Sequence, residues 1–204
     1  MKNKILLLTI VIVTFGCNRQ NSISDLKTEK EKWKTELQLN GEVGSSCIGK
    51  NGKFTIQDEE KWMKKNPNTS WGMQEFNSIE NDFNSDGIKD CLFYFSPISC
   101  VGGNVEISDI AMLVYSHKGQ FLTNKSITKN IEENLKGELA RNGIYNISVI
   151  ILHYESFNKT IGGKYYAWDS EDAHCCPSSI GTFQYNPVTF SLIIKNKYEK
   201  QIAN

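Results

Sequence analysis

Short apolar segments that alternate with turn residues constrain the fold of this chain more than any other feature. The clearest candidates lie at residues 92–95, 110–115 and 145–154, with glycine-containing turn pairs between them. Strands joined by tight turns, with few helices between them, favour an antiparallel sheet over a parallel one. We therefore predict an α+β fold, mainly an antiparallel β meander, with one or two short helices.

Three segments carry helical signals. Residues 127–139 place apolar side chains such as Ile131 and Leu135 four apart, which is the spacing of one buried helix face. Residues 58–65 end before an Asn-Pro pair and predict a second, short helix. Residues 25–39 mix Lys and Glu with a few apolar side chains, so they form either a docked helix or a partly ordered charged stalk.

Further strands are predicted toward both ends of the chain. Asn51-Gly52 suits the positive φ angles of a type I′ turn and predicts a hairpin with strands at 48–50 and 53–56. The remaining strand candidates are residues 120–122, after the Lys118-Gly119 turn, and residues 165–168, 182–185 and 189–195.

The N-terminus has the features of a bacterial export signal. Lysines precede an apolar run over residues 5–15, which has the length of a signal-peptide core and is too short to span a bilayer. The run ends in Thr14-Phe15-Gly16-Cys17, which resembles a lipobox, although the usual pattern has leucine where Thr14 stands. The resemblance implies that Cys17 is lipidated and holds the protein on a membrane of the bacterial cell envelope. A plain signal peptide cut nearby, or an uncut N-terminal anchor, is the alternative.

This interpretation divides the chain into three parts. Residues 1–16 are the lipoprotein signal peptide, and residues 17–45 are a lipid-anchored tether with the charged possible helix. Residues 46–204 form a single globular domain. Within the second part, the polar stretch 18–24 is the predicted flexible tether.

Charge limits the possible partners of the chain, and cysteine content indicates its compartment. The 23 Lys and Arg side chains balance 23 Asp and Glu side chains, which leaves no electrostatic reason to expect a nucleic-acid partner. Six cysteines are more than a reduced cytosolic protein usually carries, and they indicate an oxidising compartment.

An acidic loop before the first core strand has the spacing of a calcium-binding loop. Calcium takes six to eight oxygen ligands, and glycine at the sixth place allows the tight bend. The glutamate that closes an EF-hand is absent, because Phe93 stands at the twelfth place. The loop resembles those of FG-GAP repeats, which implies weak structural calcium; a metal-free Asx turn is the alternative. The predicted ligands are the side chains of Asp82, Asn84, Asp86 and Asp90 and the carbonyl of Ile88.

Five cysteines remain for disulfides once Cys17 is assigned to lipid. Their number is odd, so at least one thiol stays free, pairs between chains or is modified. Sequence alone leaves the connectivity open, and we expect Cys100 to pair with Cys175 or Cys176. The disulfide candidates are Cys47, Cys91, Cys100, Cys175 and Cys176.

Three elements follow the order found in a group of small bacterial lipoproteins. They are the acidic loop at 82–90, Ser99-Cys100 followed by two glycines, and the Asp-x-x-Cys-Cys-Pro-Ser run at 172–178. In this order the chain resembles the LppP/LprE-type lipoproteins over about half of its length. The resemblance implies a fold and a location, and no reaction.

The loop at 169–176 offers two further hypotheses. His174 next to a Cys175-Cys176 pair predicts an exported thiol-redox protein or enzyme, since a neighbouring histidine lowers a thiol pKa. Structural disulfides are the alternative. The candidate ligands of a transition-metal site are Asp169, Glu171, Asp172 and His174, and a solvated loop face explains these residues equally well.

A non-catalytic binding function is the main hypothesis. The sequence contains no Gly-x-Ser-x-Gly nucleophile elbow and no glycine-rich phosphate loop. We expect Tyr165, Tyr166 and Trp168 to be exposed aromatic side chains that bind a protein or glycan of the envelope.

Overall fold

The computed structural model describes residues 21–47, 55–101, 107–173 and 176–199. These residues form three helices and ten strands, and the prediction of a mainly antiparallel α+β fold is confirmed. The helices are α1 (Asn21–Leu39), α2 (Ile56–Lys65) and α3 (Ile127–Arg141). The strands are β1 (Trp71–Gly72), β2 (Asn77–Asn81), β3 (Asp90–Phe95), β4 (Ile98–Ser99), β5 (Ile110–His117), β6 (Gln120–Asn124), β7 (Ile147–Phe157), β8 (Ile161–Asp169), β9 (Ser179–Asn186) and β10 (Ser191–Glu199).

The strands make three antiparallel sheets. The first sheet has the order β2-β3-β5-β6, and the second is a meander in the order β10-β9-β8-β7. β1 and β4 make a separate two-stranded sheet. Most neighbours in the larger sheets follow each other in the chain, as expected for strands joined by turns.

The two central strands of the first sheet, β3 and β5, are buried on both faces. Along β3, Cys91, Phe93 and Phe95 face α1, whereas Leu92 faces the opposite side, because successive side chains of a strand alternate. Both sets are buried, which explains why β3 and β5 are nearly continuous apolar runs.

The main core lies where α3 packs against both four-stranded sheets. The predicted helix face of Ile131 and Leu135 is fully buried, together with Ile127 and Leu139. It meets side chains of the first sheet and of β7 to β10, among them the fully buried Tyr165. The helical spacing in the sequence therefore identified the correct face.

Helix α1 is docked on the first sheet, so the stalk alternative is wrong for this segment. Leu26, Trp33 and Leu37, seven and four residues apart, are buried against that sheet. The ring of Trp33 lies 6.0 Å from that of Phe95, edge to face. The helix begins at Asn21, so it also includes part of the predicted tether.

Helix α2 starts earlier than the sequence pattern predicts. The Thr55 hydroxyl accepts a hydrogen bond from the Asp58 amide, and the Asp58 carboxylate accepts one from the Thr55 amide, which is a capping box. The strand predicted at 53–56 is therefore wrong at residues 55 and 56. The rest of that hairpin, including Asn51-Gly52, lies outside the described residues.

The predicted signal peptide and Cys17 also lie outside the described residues. In the part of the chain that the structure describes, none of the helices has the length and apolar character needed to cross a membrane.

Candidate functional site

The acidic loop between β2 and β3 is closed by hydrogen bonds from its own backbone. Asp82 accepts from the amides of Asp86 and Gly87 at 3.0 and 2.9 Å. Asn84 accepts from the Asp86 amide at 3.1 Å, and Asp86 accepts from the Ile88 amide at 2.9 Å. Gly87 has a φ of 83°, which glycine adopts without strain. These bonds are those of an Asx-rich turn.

Ser116, near the end of β5, connects this loop to the first sheet. Its hydroxyl donates to Asp86 and Asp90, and its amide donates to Asp90 at 2.7 Å. The second oxygen of Asp90 accepts from the Phe83 amide at 3.0 Å. Burial raises the pKa of Asp90, whereas the hydrogen bond from Ser116 lowers the pKa of the exposed Asp86. The pKa values of these two carboxylates are therefore shifted in opposite directions.

The donor chemistry of the loop suits calcium, because all its predicted ligands are oxygens. Asp90, however, is fully buried and both its oxygens accept hydrogen bonds from protein donors. Among the described residues, no group of three or more His, Cys, Asp or Glu side chains is placed to hold a metal ion. Calcium binding stays a prediction that direct measurement must test.

The structure pairs Cys47 with Cys100, with their Cα atoms 5.7 Å apart. The expectation that Cys100 pairs with Cys175 or Cys176 is therefore wrong. Cys100 follows β4, and β4 pairs with β1 rather than with a strand of the second sheet. The partner of Cys100 was set by this long-range pairing, which cysteine spacing does not reveal.

Gly72 in β1 lies against the disulfide. A Cβ atom at this position would overlap the sulfur of Cys100 and stand 3.0 Å from that of Cys47. The Gly72 backbone also forms a parallel bridge with Gly44, in the segment after α1. Only a residue without a side chain fits between these elements.

The described residues include two further cysteines, the free thiol Cys91 and the disulfide-bonded Cys176. Cys91 is free, is 1% exposed, and has a pKa raised to about 12, first by burial and then by the Glu80 carboxylate. A thiol with this pKa is protonated and unreactive at neutral pH. Cys176 is disulfide-bonded. His174 and Cys175, the other members of the proposed redox loop, lie outside the described residues.

The acidic residues after β8 form a hydrogen-bonded turn. The hydroxyl of Ser178 donates to Asp172 at 2.6 Å and to Asp169 at 3.1 Å. Asp169 also accepts from the Glu171 amide at 2.8 Å. These bonds explain the carboxylates of Asp169 and Asp172 as parts of the turn. His174, the fourth predicted ligand, lies outside the described residues.

The aromatic side chains of β8 face opposite sides of the second sheet. Tyr165 is fully buried, and its hydroxyl lies 3.2 Å from that of Ser179, so the expectation that it is exposed is wrong. Tyr166 and Trp168 are half-buried on the outer face. The ring of Tyr166 lies 5.8 Å from that of His153 and 6.4 Å from that of Trp168.

A buried carboxylate that sequence reasoning missed joins the two four-stranded sheets. Asp109 is 2% exposed and accepts hydrogen bonds from the Ser96 hydroxyl at 2.6 Å and the Tyr154 amide at 3.0 Å. His153 Nδ1 lies 3.5 Å from the oxygen that Ser96 contacts. The acid therefore stands between serine and histidine, whereas a catalytic triad has histidine between serine and acid. Aspartate before a strand is too common for the sequence to reveal this role.

A cleft of about 540 Å³ opens where the segment after α1 meets the end of α2 and β1. Trp71 and Met63 contribute apolar surface, and Asn68 and Ser70 contribute polar groups. Sequence reasoning missed this cleft because its residues come from separate parts of the chain. A larger depression of about 680 Å³ follows α1 alone, and one helix cannot surround a ligand.

Comparison with known proteins adds no assignment. No family model matches this chain, and neither a curated protein nor a solved structure matches it. The resemblance to LppP/LprE-type lipoproteins therefore stays a prediction from sequence motifs.

Proposed function

We propose that the protein is an exported lipoprotein of the bacterial cell envelope, anchored through lipid on Cys17, whose globular part is a non-catalytic binding module. The observation that carries this proposal is the Cys47–Cys100 disulfide. Such bonds persist in oxidising compartments and are rare in the cytosol. The run that ends at Cys17 and resembles a lipobox supplies the anchor. The ligand of the binding module is a protein or a glycan.

The position of α1 in the chain defines which end of this helix lies closer to the proposed anchor. Only residues 18–20 separate Cys17 from the start of α1, and three residues extend over roughly 10 Å at most. The 19 residues of α1 span roughly 28 Å. Gly41 and Glu42, which line the cleft, follow the C-terminal end of that helix. On this proposal the cleft lies at the end of α1 that is farther from the anchor.

The described residues favour binding over catalysis. The order of Ser96, Asp109 and His153 differs from that of a nucleophilic triad. The free thiol of Cys91 is buried and has a raised pKa. No observation on the described residues favours the alternative of an exported enzyme or thiol-redox protein.

The anchor is tested by membrane fractionation of the Cys17→Ser variant. We expect this variant to leave the membrane fraction, because acyl chains supply roughly 0.8 kcal/mol per buried methylene. The control is Cys91→Ser, which changes a cysteine of the core and is expected to stay with the membrane. Retention of Cys17→Ser in membranes contradicts the lipid anchor.

We include weak structural calcium in the proposal, with Asp82, Asn84, Asp86, Asp90 and the Ile88 carbonyl as its oxygen donors. We expect the melting temperature to be higher in millimolar calcium than in chelator, since a ligand that binds only the folded state stabilises it. Asp86→Asn, which keeps the shape of the side chain, is expected to reduce the difference. Equal melting temperatures for the unchanged protein mean that the loop is a metal-free turn.

A further inference from the structure

The cleft between the segment after α1, the end of α2 and β1 has side-chain hydrogen-bonding groups without a partner among the described residues. The side chains of Asn68 and Ser70 make no hydrogen bond within the described part of the chain. By contrast, Asn66 donates to the Trp62 carbonyl at 2.9 Å, and Thr69 accepts from the Trp71 amide at 3.1 Å. The side-chain amide of Asn68 and the hydroxyl of Ser70 therefore remain available to a ligand, whereas the side chains of Asn66 and Thr69 hydrogen-bond to the backbone of the cleft.

Aromatic and thioether surface adjoins these polar groups. Trp71 is half-buried against the core beneath α1 and lines the cleft, and Met63 is 40% exposed at its side. A flat indole ring offers a large apolar contact at little cost in side-chain entropy. The cleft thus combines a flat apolar surface with separate hydrogen-bonding groups.

The charge of the cleft argues against an anionic ligand. Glu42 is the only ionisable side chain among the described residues that line it. Recognition of phosphate, sulfate or carboxylate groups in proteins relies on Arg, Lys or clustered backbone amides. The described lining offers no such cation, and the Glu42 carboxylate repels anions.

A disulfide and a hydrogen bond join the elements that form the walls of the cleft. The Cys47–Cys100 disulfide holds β4 to the segment after α1, and Val101, which follows Cys100, lines the cleft. The indole nitrogen of Trp62 donates to the Ser45 carbonyl at 2.7 Å, which holds α2 to the same segment. A preformed site loses less entropy when it binds a ligand.

We propose that this cleft binds a neutral oligosaccharide, with the ring of Trp71 against a sugar face and Asn68 and Ser70 bonded to its hydroxyl groups. A pyranose ring has an apolar face and an equatorial set of hydroxyls, which matches this arrangement. A peptide is the less suitable ligand because β1 and β4 have two residues each, which is too short an edge for an added strand. This inference rests on the proposed binding function and names its ligand class.

The test uses the full-length protein purified in detergent. Isothermal titration calorimetry measures binding of linear glucose and N-acetylglucosamine oligomers, an acidic oligogalacturonate, and a mixture of short peptides. We expect binding of at least one neutral oligomer at millimolar concentration or below. Failure of both neutral oligomers to bind, or tighter binding of the oligogalacturonate or the peptides, overturns the proposal.

Two variants locate the site. Trp71→Ala is expected to weaken binding of the neutral oligomer about tenfold or more, because it removes the apolar surface. Asn68 is exposed, and its side chain makes no hydrogen bond within the described residues. The Asn68→Ala variant is therefore expected to fold normally and to bind the neutral oligomer about threefold to tenfold more weakly. Trp168→Ala, on the outer face of the second sheet, is the control and should bind as the unchanged protein does. Unchanged binding by Asn68→Ala together with loss in Trp168→Ala overturns the site.

The outcome is separable from that of the proposed anchor. Binding in detergent does not depend on lipid at Cys17, and fractionation does not depend on the cleft. If Cys17→Ser leaves the membrane while the protein binds no neutral oligomer, only the ligand assignment is wrong. If the protein binds the oligomer while Cys17→Ser stays on the membrane, only the anchor is wrong.

Discussion

The region around the Cys47–Cys100 disulfide and the body of two four-stranded sheets are stabilised in different ways. The body buries large side chains such as Tyr165 and Phe183 around α3. The disulfide region, made of α2, β1, β4 and the segment after α1, has a buried cluster of Trp62 and the two bonded cysteines. Where apolar side chains are few, a covalent bond and directed hydrogen bonds take over the stabilising role.

The largest effect is expected from removing the disulfide. The double variant Cys47→Ser and Cys100→Ser should lose about 4 kcal/mol of unfolding free energy, because the unfolded chain regains the entropy of a loop whose ends are 53 residues apart. Urea unfolding under oxidising conditions measures this loss. Cys91→Ala, which removes the free thiol, is the control, and a loss no greater than that of Cys91→Ala contradicts the prediction.

A single truncation in the main core is expected to cost slightly less. Leu135→Ala should lose about 3 kcal/mol, because Leu135 is fully buried between α3 and the sheets and a cavity remains. Leu122→Ala is the matched control, since Leu122 is 40% exposed on β6, and should lose less than about 1 kcal/mol. Equal losses in urea unfolding would mean that the core is not where the structure places it.

Replacing a glycine by alanine is expected to change the unfolding free energy in opposite directions in the two regions. Gly72→Ala should lose about 2 kcal/mol, because the new Cβ overlaps the sulfur of Cys100. Gly137→Ala, in an exposed part of α3 with nothing within 4 Å of the new atom, should gain about 0.5 to 1 kcal/mol from better helix propensity. Thermal unfolding of both variants checks the signs, and a stabilised Gly72→Ala contradicts the packing described here.

The helix caps give a smaller contrast. Thr55→Ala should destabilise the protein by about 1 kcal/mol, because the Thr55 hydroxyl caps α2. Ser126→Ala is the control, since the Ser126 side chain makes no capping hydrogen bond at α3. A cost for Ser126→Ala as large as that for Thr55→Ala, measured by urea unfolding, refutes the contrast.

The smallest expected effect is a pH dependence at α2. The hydrogen bond from Thr55 lowers the pKa of Asp58 below its ordinary value of 3.8. The pKa of Asp58 is lower in the folded protein than in the unfolded chain. Ionised Asp58 therefore stabilises the folded state above pH 3.8, and this stabilisation is lost as the pH falls through the pKa of the folded state. NMR titration should show the pKa of Asp58 rising toward its ordinary value in Thr55→Ala. An unchanged pKa in that variant would show that the hydroxyl is not its cause.

Local patterns predicted much of the fold. Apolar spacing of four in α3 predicted both the helix and its buried face, and apolar runs predicted β3 and β5. The strand predicted at 53–56 was wrong at Thr55, because four alternating residues are a weaker signal than the capping box that begins α2.

The candidate site was less predictable than the fold. The acidic loop was found from its spacing, although its hydrogen bonds to Ser116 join it to a strand far along the chain. Tyr165 was expected to be exposed together with its neighbour Tyr166, but adjacent side chains of a strand face opposite sides of the sheet. Tertiary packing decided that the side of Tyr165 faces the core. The cleft was missed because Glu42, Asn68 and Trp71 have no common motif.

The sequence by itself determined the antiparallel strand class, the face of α3 and the turn chemistry of the acidic loop. Each depends on side chains within a few residues of one another. Only the tertiary structure decided that Cys100 pairs with Cys47, that Tyr165 is buried, and that a cleft opens beside Trp71. These features depend on contacts between distant segments, which form only when the sheets and helices pack together.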